Sequence, residues 1–420
     1  MTVHVALSTG QKTIACQMPQ ANWLDSFVPA QVADLPNPDE AIAQALAQPL
    51  NRPRLRRLVR PGERVAIIVD DHTRATPAWR IIPWLAAELA VAGIPDEHIE
   101  IVIARGAHRA CTEAEVLQKV GAEARRRFRV TQHDCQDEAQ QTFIGLTSRG
   151  TPVWINRTVA QADRRLTIGH IAPSPYAGYS GGGKLIVPGV AALDTINFNH
   201  SFVPAGFRRH GAVDLPTRGD IDEAAALVGV DLEIDVVFDS QGRLAAALAG
   251  DPAGVFREGL ALARPLNEVR LPGPVDIALA SGEPFTLDLY QATRAVEYAD
   301  AAVRPGGAIL LLADCPDGVG GDEFYQLLAG DRQPAEFLRA ASRRSLKVTF
   351  AVLGYALARI KAEKSVYVLT GHISDQALRA MGFKPCHDLQ ATVDELLAEY
   401  GPAAKVAAFP RGSVTIPILE

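Results

Sequence analysis

Three short polar segments hold most of the side chains in this sequence that are suited to chemistry. They are residues 70–77, 106–109 and 169–189. Each begins where a short run of β-branched residues, typical of a buried strand, comes to an end. In open α/β sheets, ligands bind at the carboxyl ends of the strands. We therefore take these segments as the candidate ligand-binding positions of a sheet.

The first segment allows two interpretations. Asp70 and Thr76 are typical of a capped turn, because Asp and Thr oxygens accept hydrogen bonds from the first amides of a following helix. Arg74 suits a different role, since a guanidinium at the carboxyl end of a strand can bind a carboxylate through two hydrogen bonds. Asp71 is a candidate to hold that guanidinium in place.

The second segment contains His108. A lone histidine in a loop is usually structural or solvated. Its position after a predicted strand and beside glycine favours a general base, because imidazole exchanges protons near neutral pH. The residues alone leave both interpretations open.

The third segment is rich in glycine and ends near Lys184. Its spacing is not that of a Walker A loop, because Leu185 stands where Ser or Thr is required. It predicts either a mobile surface loop or a partly buried lysine that has been recruited for chemistry. His200 follows; a capping or core histidine is favoured over a metal ligand there.

Short β-branched runs alternate with amphipathic stretches along the chain, which is typical of a parallel-sheet α/β fold. Strands are predicted at residues 64–71, 99–104, 128–131, 165–168, 276–280, 308–313 and 366–370. Helices are predicted at residues 77–93, 289–300, 350–361 and 393–400, with another beginning at Thr112, and a hairpin at residues 232–248.

Residues 262–274 contain three prolines without a clear period, and they predict a linker between two domains. We expect an N-terminal α/β domain at 1–266, joined by the tail 405–420, and a C-terminal α/β domain at 274–404. The predicted fold is two α/β domains with parallel-rich sheets and an active-site cleft between them, a common place for small-molecule sites.

The composition excludes several classes of protein. With 48% hydrophobic and 21% charged residues, the chain is typical of a folded globular protein. A net charge of -6 argues against a nucleic-acid partner, which would need a basic face. The sequence lacks a signal-peptide pattern and any apolar stretch long enough for a bilayer. Its five scattered cysteines indicate reduced thiols, so we expect a cytoplasmic protein.

Taken in order, these segments resemble the motifs of the lactate racemase family, whose members use a nickel-pincer nucleotide. Any one motif is weak, but the ordered set is highly specific and spans essentially the whole chain. The matching motifs are Asp71-x-x-Arg74, Gly106-Ala-His108, Ser180-Gly-Gly-x-Lys184, Pro188-Gly189, His200 and Tyr290-Gln291-x-x-Arg294.

The resemblance implies a cofactor, pyridinium-3-thioamide-5-thiocarboxylic acid mononucleotide holding Ni(II), which is made by cofactor-synthesis proteins. In the family, the lysine matching Lys184 tethers it through a thioamide. The histidine matching His200 binds the nickel, a metal that imidazole suits. Cofactor contacts are also implied for Ser180, Gly181 and Gly182.

The resemblance also implies the reaction. A base takes the proton of the 2-hydroxyl group of a 2-hydroxy acid while the 2-hydrogen leaves as hydride, and return of hydride to either face gives racemisation. His108 matches a catalytic histidine, and Arg74 with Asp71 matches the group that holds the substrate carboxylate. Further substrate-binding positions are implied at Tyr290, Gln291, Arg294 and Ser174.

The sequence departs from the family pattern at three places. Ser174 stands at the second catalytic histidine, and a serine hydroxyl has too high a pKa to replace an imidazole unaided. Gly183 replaces a basic residue before the tethering lysine. No tryptophan follows Trp154, so an aromatic wall of the second domain is absent or rebuilt with Phe350 or Tyr355.

Loss of one histidine predicts an asymmetric substrate, larger than lactate and possessing further stereocentres, such as a sugar acid. His108 would then serve one face of the substrate. His170, Tyr176 or a water held by Ser174 would serve the other face.

The small residues Ser174, Gly183 and Ala292 are predicted to enlarge the pocket for such an acid. Two alternatives remain beside an isomerase. One is an oxidoreductase that uses the same cofactor and releases the 2-oxo acid. The other is a binding protein without turnover, against which the retained base His108 argues. The residues do not indicate an oligomeric state.

Overall fold

The computed structural model describes residues 1–31, 37–342 and 348–420. The chain forms two compact units. The N-unit comprises Gln31–Val203 and Ala212–Leu266, and the C-unit comprises Met1–Ala30, Pro204–Gly211 and Asn267–Glu420. No helix in the described ranges combines the length and the apolar character that a bilayer crossing requires.

The strands of the described residues, in chain order, are β1 (Thr2–Ser8), β2 (Thr13–Pro19), β3 (Trp23–Ser26), β4 (Val65–Asp70), β5 (Ile99–Ala104), β6 (Arg129–Gln132), β7 (Gln141–Leu146), β8 (Pro152–Asn156), β9 (Arg164–Ile171), β10 (Pro173–Ser174), β11 (Gly178–Tyr179), β12 (Leu232–Phe238), β13 (Leu244–Gly250), β14 (Glu268–Leu271), β15 (Val275–Ser281), β16 (Val303–Leu312), β17 (Ser365–Leu369), β18 (Lys384–Pro385), β19 (Val406–Phe409) and β20 (Ile416–Leu419).

The α-helices of the same residues are α1 (Pro38–Ala47), α2 (Leu55–Leu58), α3 (Ala78–Val91), α4 (Glu113–Val120), α5 (Ala122–Arg127), α6 (Arg157–Gln161), α7 (Leu193–His200), α8 (Pro216–Val228), α9 (Pro252–Ala263), α10 (Leu289–Asp300), α11 (Asp322–Leu328), α12 (Pro334–Ser342), α13 (Val348–Glu363), α14 (Asp375–Ala380) and α15 (Leu389–Tyr400).

The N-unit is built on a six-stranded sheet of order β13-β12-β9-β4-β5-β6, in which only β13 is antiparallel to its neighbour. Every residue of β4 is buried, as expected for a parallel strand covered on both faces. Val65, Ile67 and Val69 pack in one core with α3, whereas Ala66 and Ile68 pack in a second core with α8.

The C-unit is built on a second six-stranded sheet, of order β18-β17-β16-β15-β19-β3, and all of its neighbouring pairs are parallel. Residues of α10 pack in one core against β15 and β16. The hairpin β1–β2 and α15 form a separate core with the same strands. The predicted α/β class with parallel-rich sheets is therefore confirmed.

The chain termini differ from the prediction. The tail 405–420, expected to join the N-terminal domain, belongs to the C-unit. There, β19 lies between β15 and β3, and β20 pairs with β14. The four residues of β19 are buried and mostly small, which suits the interior of a parallel sheet. The chain makes its last passage from the N-unit to the C-unit between Leu266 and Asn267.

The first thirty residues also belong to the C-unit and not to the predicted domain 1–266. Their burial explains this assignment, because Val5, Leu7, Cys16 and Met18 pack in one core with β15, β16 and α15. The unit boundaries of the structure are therefore discontinuous along the chain.

Several predicted elements have the expected limits. The strand predicted at 99–104 is β5, and the helix predicted at 289–300 is α10. The expected start of α4 is a capping box formed by Thr112 and Glu115. The hairpins β1–β2 and β7–β8 are additional to the predicted elements. Alternation of apolar residues through β1 is a signal for the first of them.

Candidate functional site

An imidazole–carboxylate pair lies at the carboxyl ends of β4 and β5, which are neighbours in the N-unit sheet. Asp71 Oδ2 lies 2.6 Å from His108 Nδ1. Because a carboxylate only accepts hydrogen bonds, Nδ1 carries the proton and Nε2 keeps its lone pair in the neutral imidazole. The His108 side chain is 38% exposed and that of Asp71 is 2% exposed. A buried carboxylate therefore orients an accessible imidazole.

The carboxylate of Asp71 is ionised and is also linked to Arg74. Burial raises the pKa of Asp71, but the hydrogen bond from His108 and the charges of His108 and Arg74 hold that pKa well below its usual range. Thr73 donates to Asp71 Oδ1 from its amide at 3.0 Å and from its hydroxyl at 2.5 Å. Arg74 Nη1 in turn donates to Thr73 Oγ1 at 3.0 Å. The predicted link between Asp71 and Arg74 thus runs through the Thr73 hydroxyl.

The backbone of the same loop is fixed by a buried lysine. Lys119 on α4 donates from Nζ to Asp70 Oδ1 and to the carbonyl oxygen of Arg74, both at 2.8 Å. It also donates to the carbonyl oxygen of Thr76 at 3.2 Å. Lys119 was not a predicted site residue, because nothing in the sequence distinguishes it from a lysine on the solvent face of a helix.

The capping roles predicted for Asp70 and Thr76 are wrong. Helix α3 begins after Pro77 with no side-chain cap. The Thr76 hydroxyl donates to Asp70 and lies 2.9 Å from His170 Nδ1, which is 3.2 Å from Asp70 Oδ2. Burial raises the pKa of Asp70, yet Lys119 and His170 together hold it below its usual range. These side chains therefore form a buried ionic cluster.

A second group of predicted residues meets at the glycine-rich segment. Ser174 in β10 is buried, and its hydroxyl accepts a hydrogen bond from Lys184 Nζ at 3.0 Å. Burial and then the charge of Lys184 lower the pKa of His200 to about 4. The ammonium of Lys184 is thus electrostatically close to the His200 imidazole.

The geometry of His200 suits a metal ligand. The residue ends α7, and its Nδ1 donates to the carbonyl oxygen of Ile196 at 2.9 Å. This bond leaves Nε2 with its lone pair, in a ring that burial keeps neutral. Metal-bound histidines typically donate their other ring nitrogen to an oxygen in this way. The ring also meets the edge of Tyr176, with centroids 5.7 Å apart. The residues present therefore fit the nickel ligand and tether that the family resemblance implies.

The Ser180 hydroxyl group makes its hydrogen bonds to the backbone of its own segment. Its hydroxyl donates to the carbonyl oxygen of His170 at 2.8 Å and accepts from the amide of Ala172 at 2.9 Å. The Ser180 amide donates back to the Ala172 carbonyl oxygen at 2.7 Å. This side chain therefore fixes the turn that precedes Gly181 and Gly182.

Two small residues do not have the predicted role of enlarging a pocket. A Cβ atom at Gly183 would lie 2.8 Å from the Ile221 carbonyl oxygen and from Ala225 Cβ. Ala292 is fully buried in the core of the C-unit. Close packing against α8 and within that core explains both small side chains.

The remaining predicted residues lie on α10 of the C-unit. Asp288 caps this helix by accepting a hydrogen bond from the Gln291 amide at 2.8 Å. The Gln291 side-chain amide lies 3.4 Å from the second carboxylate oxygen. The Arg294 guanidinium lies over the ring of Phe285, with 4.6 Å between its Cζ and the ring centroid. Tyr290 occupies the first turn.

Aromatic residues surround Tyr290. Its ring meets the edge of Phe324 at a centroid distance of 5.4 Å and lies 6.2 Å from Phe350. Tyr355 instead packs on Phe207, 5.7 Å away. Of the two aromatic residues proposed to replace the missing tryptophan, Phe350 is therefore the neighbour of a predicted substrate-binding residue.

The comparisons with known proteins decide the family. The model of the lactate racemase N-terminal domain matches residues 9–208, and the model of the lactate racemase C-terminal domain matches residues 271–416. The chain belongs to the lactate racemase family. A lactate racemase from Lactiplantibacillus plantarum is 29% identical over 419 residues, which are 98% of each chain. One from Thermoanaerobacterium thermosaccharolyticum is 28% identical over 381 residues, which are 89% of each chain.

Solved structures agree with this assignment. The lactate racemase apoprotein from Thermoanaerobacterium thermosaccharolyticum superposes with a TM-score of 0.88 and 25% identity, covering 99% of this chain and 100% of that one. A protein from Thermotoga maritima superposes with a TM-score of 0.71 at 17% identity, covering 93% and 100% of the two chains, and so shares the fold.

The departure from the lactate racemase family at Ser174 has a structural setting. Its hydroxyl is bound to Lys184, as described above. Among the groups considered as a second base, His170 directs Nδ1 at Asp70 and Thr76. These contacts orient the His170 ring, as Asp71 orients His108.

Three side chains of types that can bind a metal, His72, Cys111 and Glu115, lie close together in the N-unit. His72 Nδ1 is 3.3 Å from Cys111 Sγ, and Glu115 is close to both. Both carboxylate oxygens of Glu115 accept hydrogen bonds from Arg109, at 2.6 and 2.8 Å, and one also accepts from the Thr112 amide. Because a guanidinium beside the carboxylate opposes a cation, we assign Glu115 to the cap of α4 and not to a metal site.

Proposed function

We propose that this chain racemises or epimerises a 2-hydroxy acid, using a nickel-pincer nucleotide attached at Lys184. The observation that carries this proposal is the chain of hydrogen bonds from His108 through Asp71 and Thr73 to Arg74. It joins a base to a cation that can bind a carboxylate. A 2-hydroxy acid has a hydroxyl group whose proton the base can take and a carboxylate that the cation can bind, so it would engage both groups.

His108 would take the proton of the 2-hydroxyl group. The hydrogen bond from Nδ1 to Asp71 leaves Nε2 as the acceptor, and the side chain is accessible. The ionised Asp71 also stabilises the imidazolium that forms when the proton arrives. The proton is later returned from the same atom.

Arg74 would bind the substrate carboxylate. Its guanidinium is held by Thr73, and its backbone carbonyl oxygen is held by Lys119. A cation fixed in this way binds a carboxylate with a defined orientation. The hydroxyl group of the substrate is thereby directed toward His108.

The cofactor would be held by His200 and Lys184. His200 offers a neutral nitrogen for nickel, and Lys184 offers the amine for the thioamide bond. When bound, the cofactor supplies hydride transfer at C2 of the substrate. The part played by the chain is to hold the carboxylate and to move the hydroxyl proton.

We further propose a substrate larger than lactate, such as a sugar acid. The support is Ser174, whose hydroxyl is bound to Lys184 at the position of a second histidine in the family. With a single imidazole of that kind, proton transfer on the two substrate faces is unequal. Such inequality suits an acid whose two C2 epimers differ in shape and energy.

A second candidate is an oxidoreductase that releases the 2-oxo acid. The same serine favours it. When hydride returns to the second face of the 2-oxo acid, a proton must return to its oxygen, and the second imidazole that would give this proton is missing. The two functions differ in their products. An isomerase gives the other C2 epimer, whereas an oxidoreductase would release free 2-oxo acid, leave the hydride on the cofactor and need a separate hydride acceptor for further turnover.

The test uses the full chain, produced together with the proteins that make the cofactor, and checked by native mass spectrometry for an increment that contains nickel. D-lactate, L-lactate and both C2 epimers of a six-carbon aldonic acid are then supplied, and the products are separated by chiral chromatography. We expect the aldonic epimers to interconvert faster than the lactates. His108→Ala should slow turnover by about 10²-fold or more, whereas the exposed control His4→Ala should not.

Each other outcome has a definite meaning. Faster interconversion of the lactates contradicts the larger substrate but keeps the racemase. Release of about one 2-oxo acid per loaded protein, without the second epimer, supports the oxidoreductase, because no hydride acceptor is supplied to regenerate the cofactor. A nickel-loaded protein that turns over none of these acids contradicts both functions.

A further inference from the structure

Two buried carboxyl groups on β12 lie outside the site described above. Glu233 and Asp235 are two residues apart in the strand, so their side chains share one face of the sheet. They are 1% and 0% exposed. The Gly182 amide donates to Glu233 Oε1 at 2.6 Å and lies 3.4 Å from Asp235 Oδ2. The pair therefore holds the backbone two residues before Lys184.

The two carboxyl groups meet at one amide in a buried setting. The Gly182 amide lies 2.6 Å from Glu233 Oε1 and 3.4 Å from Asp235 Oδ2, and among the described residues Glu233 Oε2 and Asp235 Oδ1 are buried with no hydrogen-bond partner. Burial raises the pKa of both groups, and the charge of Asp235 raises the pKa of Glu233 further. Two adjacent carboxylates in an apolar interior do not both ionise at neutral pH. The pair therefore has a single negative charge.

Arg218 on α8 binds the same backbone from another side. Its side chain is 1% exposed. Its Nη1 donates to the carbonyl oxygens of Tyr179 and Gly181, at 3.3 and 3.1 Å. Its Nη2 pairs with Asp222 at 2.8 Å. The same segment thus donates a hydrogen bond to the carboxyl pair through the Gly182 amide and accepts two from the buried guanidinium through its carbonyl oxygens.

Other charged groups face the pair from the neighbouring elements. The charge of Arg218, from α8, acts on Glu233. His170 on β9 and Asp70 on β4 act on Asp235. The single negative charge of the pair is offset by Arg218. The charge of Asp70 is offset separately, by Lys119 and His170.

The glycines of the segment are required by this cluster. Gly181 and Gly182 have φ of +85° and +60°, values that favour glycine. A Cβ atom at Gly181 would lie 2.6 Å from Asp235 Oδ2, and one at Gly182 would lie 2.2 Å from Arg218 Nη2. A Cβ atom at Gly169 would lie 2.7 Å from Asp235 Oδ1. The backbone is therefore pressed against the charged side chains behind it.

We propose that Glu233 and Asp235, sharing one proton, act with Arg218 as positioning residues that fix the segment carrying Lys184. We name these three side chains the loop clamp. This inference rests on the proposed function in one respect: the reason for fixing Lys184 is that it holds the cofactor. The position of Lys184 itself is set by the clamp in the protein without cofactor.

A shared proton makes a specific prediction about amide variants. In Glu233→Gln or Asp235→Asn, the carboxamide replaces a protonated carboxyl group and the partner keeps the negative charge. Each single variant should therefore preserve the clamp. The double variant Glu233→Gln/Asp235→Asn has no negative charge facing the Gly182 amide, and Arg218 keeps its pair with Asp222, so the double variant should release the segment.

The experiment labels lysine amines of the cofactor-free full chain with an acetylating reagent and measures Lys184 against the exposed Lys12 by peptide mass spectrometry. We expect both single variants to label Lys184 within about twofold of the wild type, and the double variant to label it at least about fivefold faster, because local opening governs access to the amine. The matched control Glu97→Gln, on the surface of the N-unit, removes the same single negative charge and should leave the ratio unchanged.

A pH series gives a second readout that packing alone would not change. As pH rises and the shared proton is lost, the wild-type ratio of Lys184 to Lys12 labelling should rise. Glu233→Gln has no shared proton to lose, so its ratio should stay flat.

The clamp is contradicted if either single variant labels as fast as the double variant, or if the double variant labels like the wild type. If the double variant does not fold, as judged by circular dichroism, the comparison of Glu233→Ala with Glu233→Gln decides. Faster labelling of Lys184 in the alanine variant alone supports the clamp, and equal labelling contradicts it. If the variants label as expected but the protein takes up no cofactor, the result supports the clamp and contradicts the proposed function.

Discussion

Asp71 Oδ2 receives the Nδ1 proton of His108 at 2.6 Å, and through Thr73 the same carboxylate also orients Arg74. One buried group therefore sets both the tautomer of the base and the direction of the carboxylate-binding cation. A substitution at this position should affect both.

Asp71→Asn should lower kcat of the loaded enzyme by about 10²- to 10⁴-fold, the usual contribution of a positioned base. The amide can donate to Nδ1 and so favours the tautomer with its proton on Nε2, which is no longer an acceptor for the substrate hydroxyl. Steady-state kinetics with the preferred acid measure the effect. Thr73→Ser keeps the linking hydroxyl and should retain most activity; a comparable loss there would contradict this account.

Lys119→Met should destabilise the N-unit by about 3 kcal/mol, because it leaves Asp70 buried without its partner cation. Urea unfolding at neutral pH measures the change. The double variant Lys119→Met/Asp70→Asn removes the unpaired charge and should recover part of the loss. Additive losses in the two single variants would show that the ion pair is not the cause.

Stability of the cofactor-free protein should fall in mild acid partly through His200. Its pKa in the folded chain is about 4, below the value of about 6.5 for an unfolded histidine. Between these values the unfolded state binds a proton that the folded state does not, so this contribution is present above about pH 6.5 and is lost as pH falls toward 4.

The measurement is the free energy of unfolding in urea from about pH 7.5 to about pH 5. The wild type should lose about 2 kcal/mol more than His200→Gln over this interval. An equal loss in both proteins would show that His200 is not held neutral by burial.

Gly183→Ala should destabilise the N-unit by about 1–3 kcal/mol, the usual effect of inserting a methyl group into a packed interior. The added Cβ atom would lie 2.8 Å from the Ile221 carbonyl oxygen. Gly273→Ala is the matched control, since nothing lies within 4 Å of its Cβ position. If Gly183→Ala leaves the thermal unfolding temperature unchanged, α8 moves away easily from the added methyl group. The prediction that Gly183 enlarges the substrate pocket would then be supported.

The parts of the fold that are visible in the sequence are those with strong local patterns. The buried strand β5 and the amphipathic helix α10 have their predicted limits because apolar periodicity and capping residues act within a few positions. The assignment of β19 to the C-unit depends on pairing with β15, far away in the chain. No local pattern specifies such a partner.

The candidate site shows the same division. The motif residues His108, Arg74 and Lys184 lie at strand ends or in the glycine-rich segment, where chemistry is expected. Asp71 was predicted to hold Arg74, and it does so through the Thr73 hydroxyl, but the other side chains that hold the site were not predicted. Lys119 and Glu233 have ordinary positions in a helix and a strand, and only the folded chain shows that both are buried against the loops that bear the site.

The discontinuous units have a consequence for dissecting the protein. The chain changes unit after Ala30, Val203, Gly211 and Leu266, so no single cut yields either unit whole. A fragment beginning at Asn267 lacks the edge strand β3 and the hairpin that covers one sheet face, and its Asp300 loses Arg208, which binds it at 2.6 Å. This fragment and the fragment 1–266 should each be insoluble when produced alone, but they should assemble when produced together. Limited proteolysis that nicks only one crossing should leave a molecule that still migrates as one species until it is denatured.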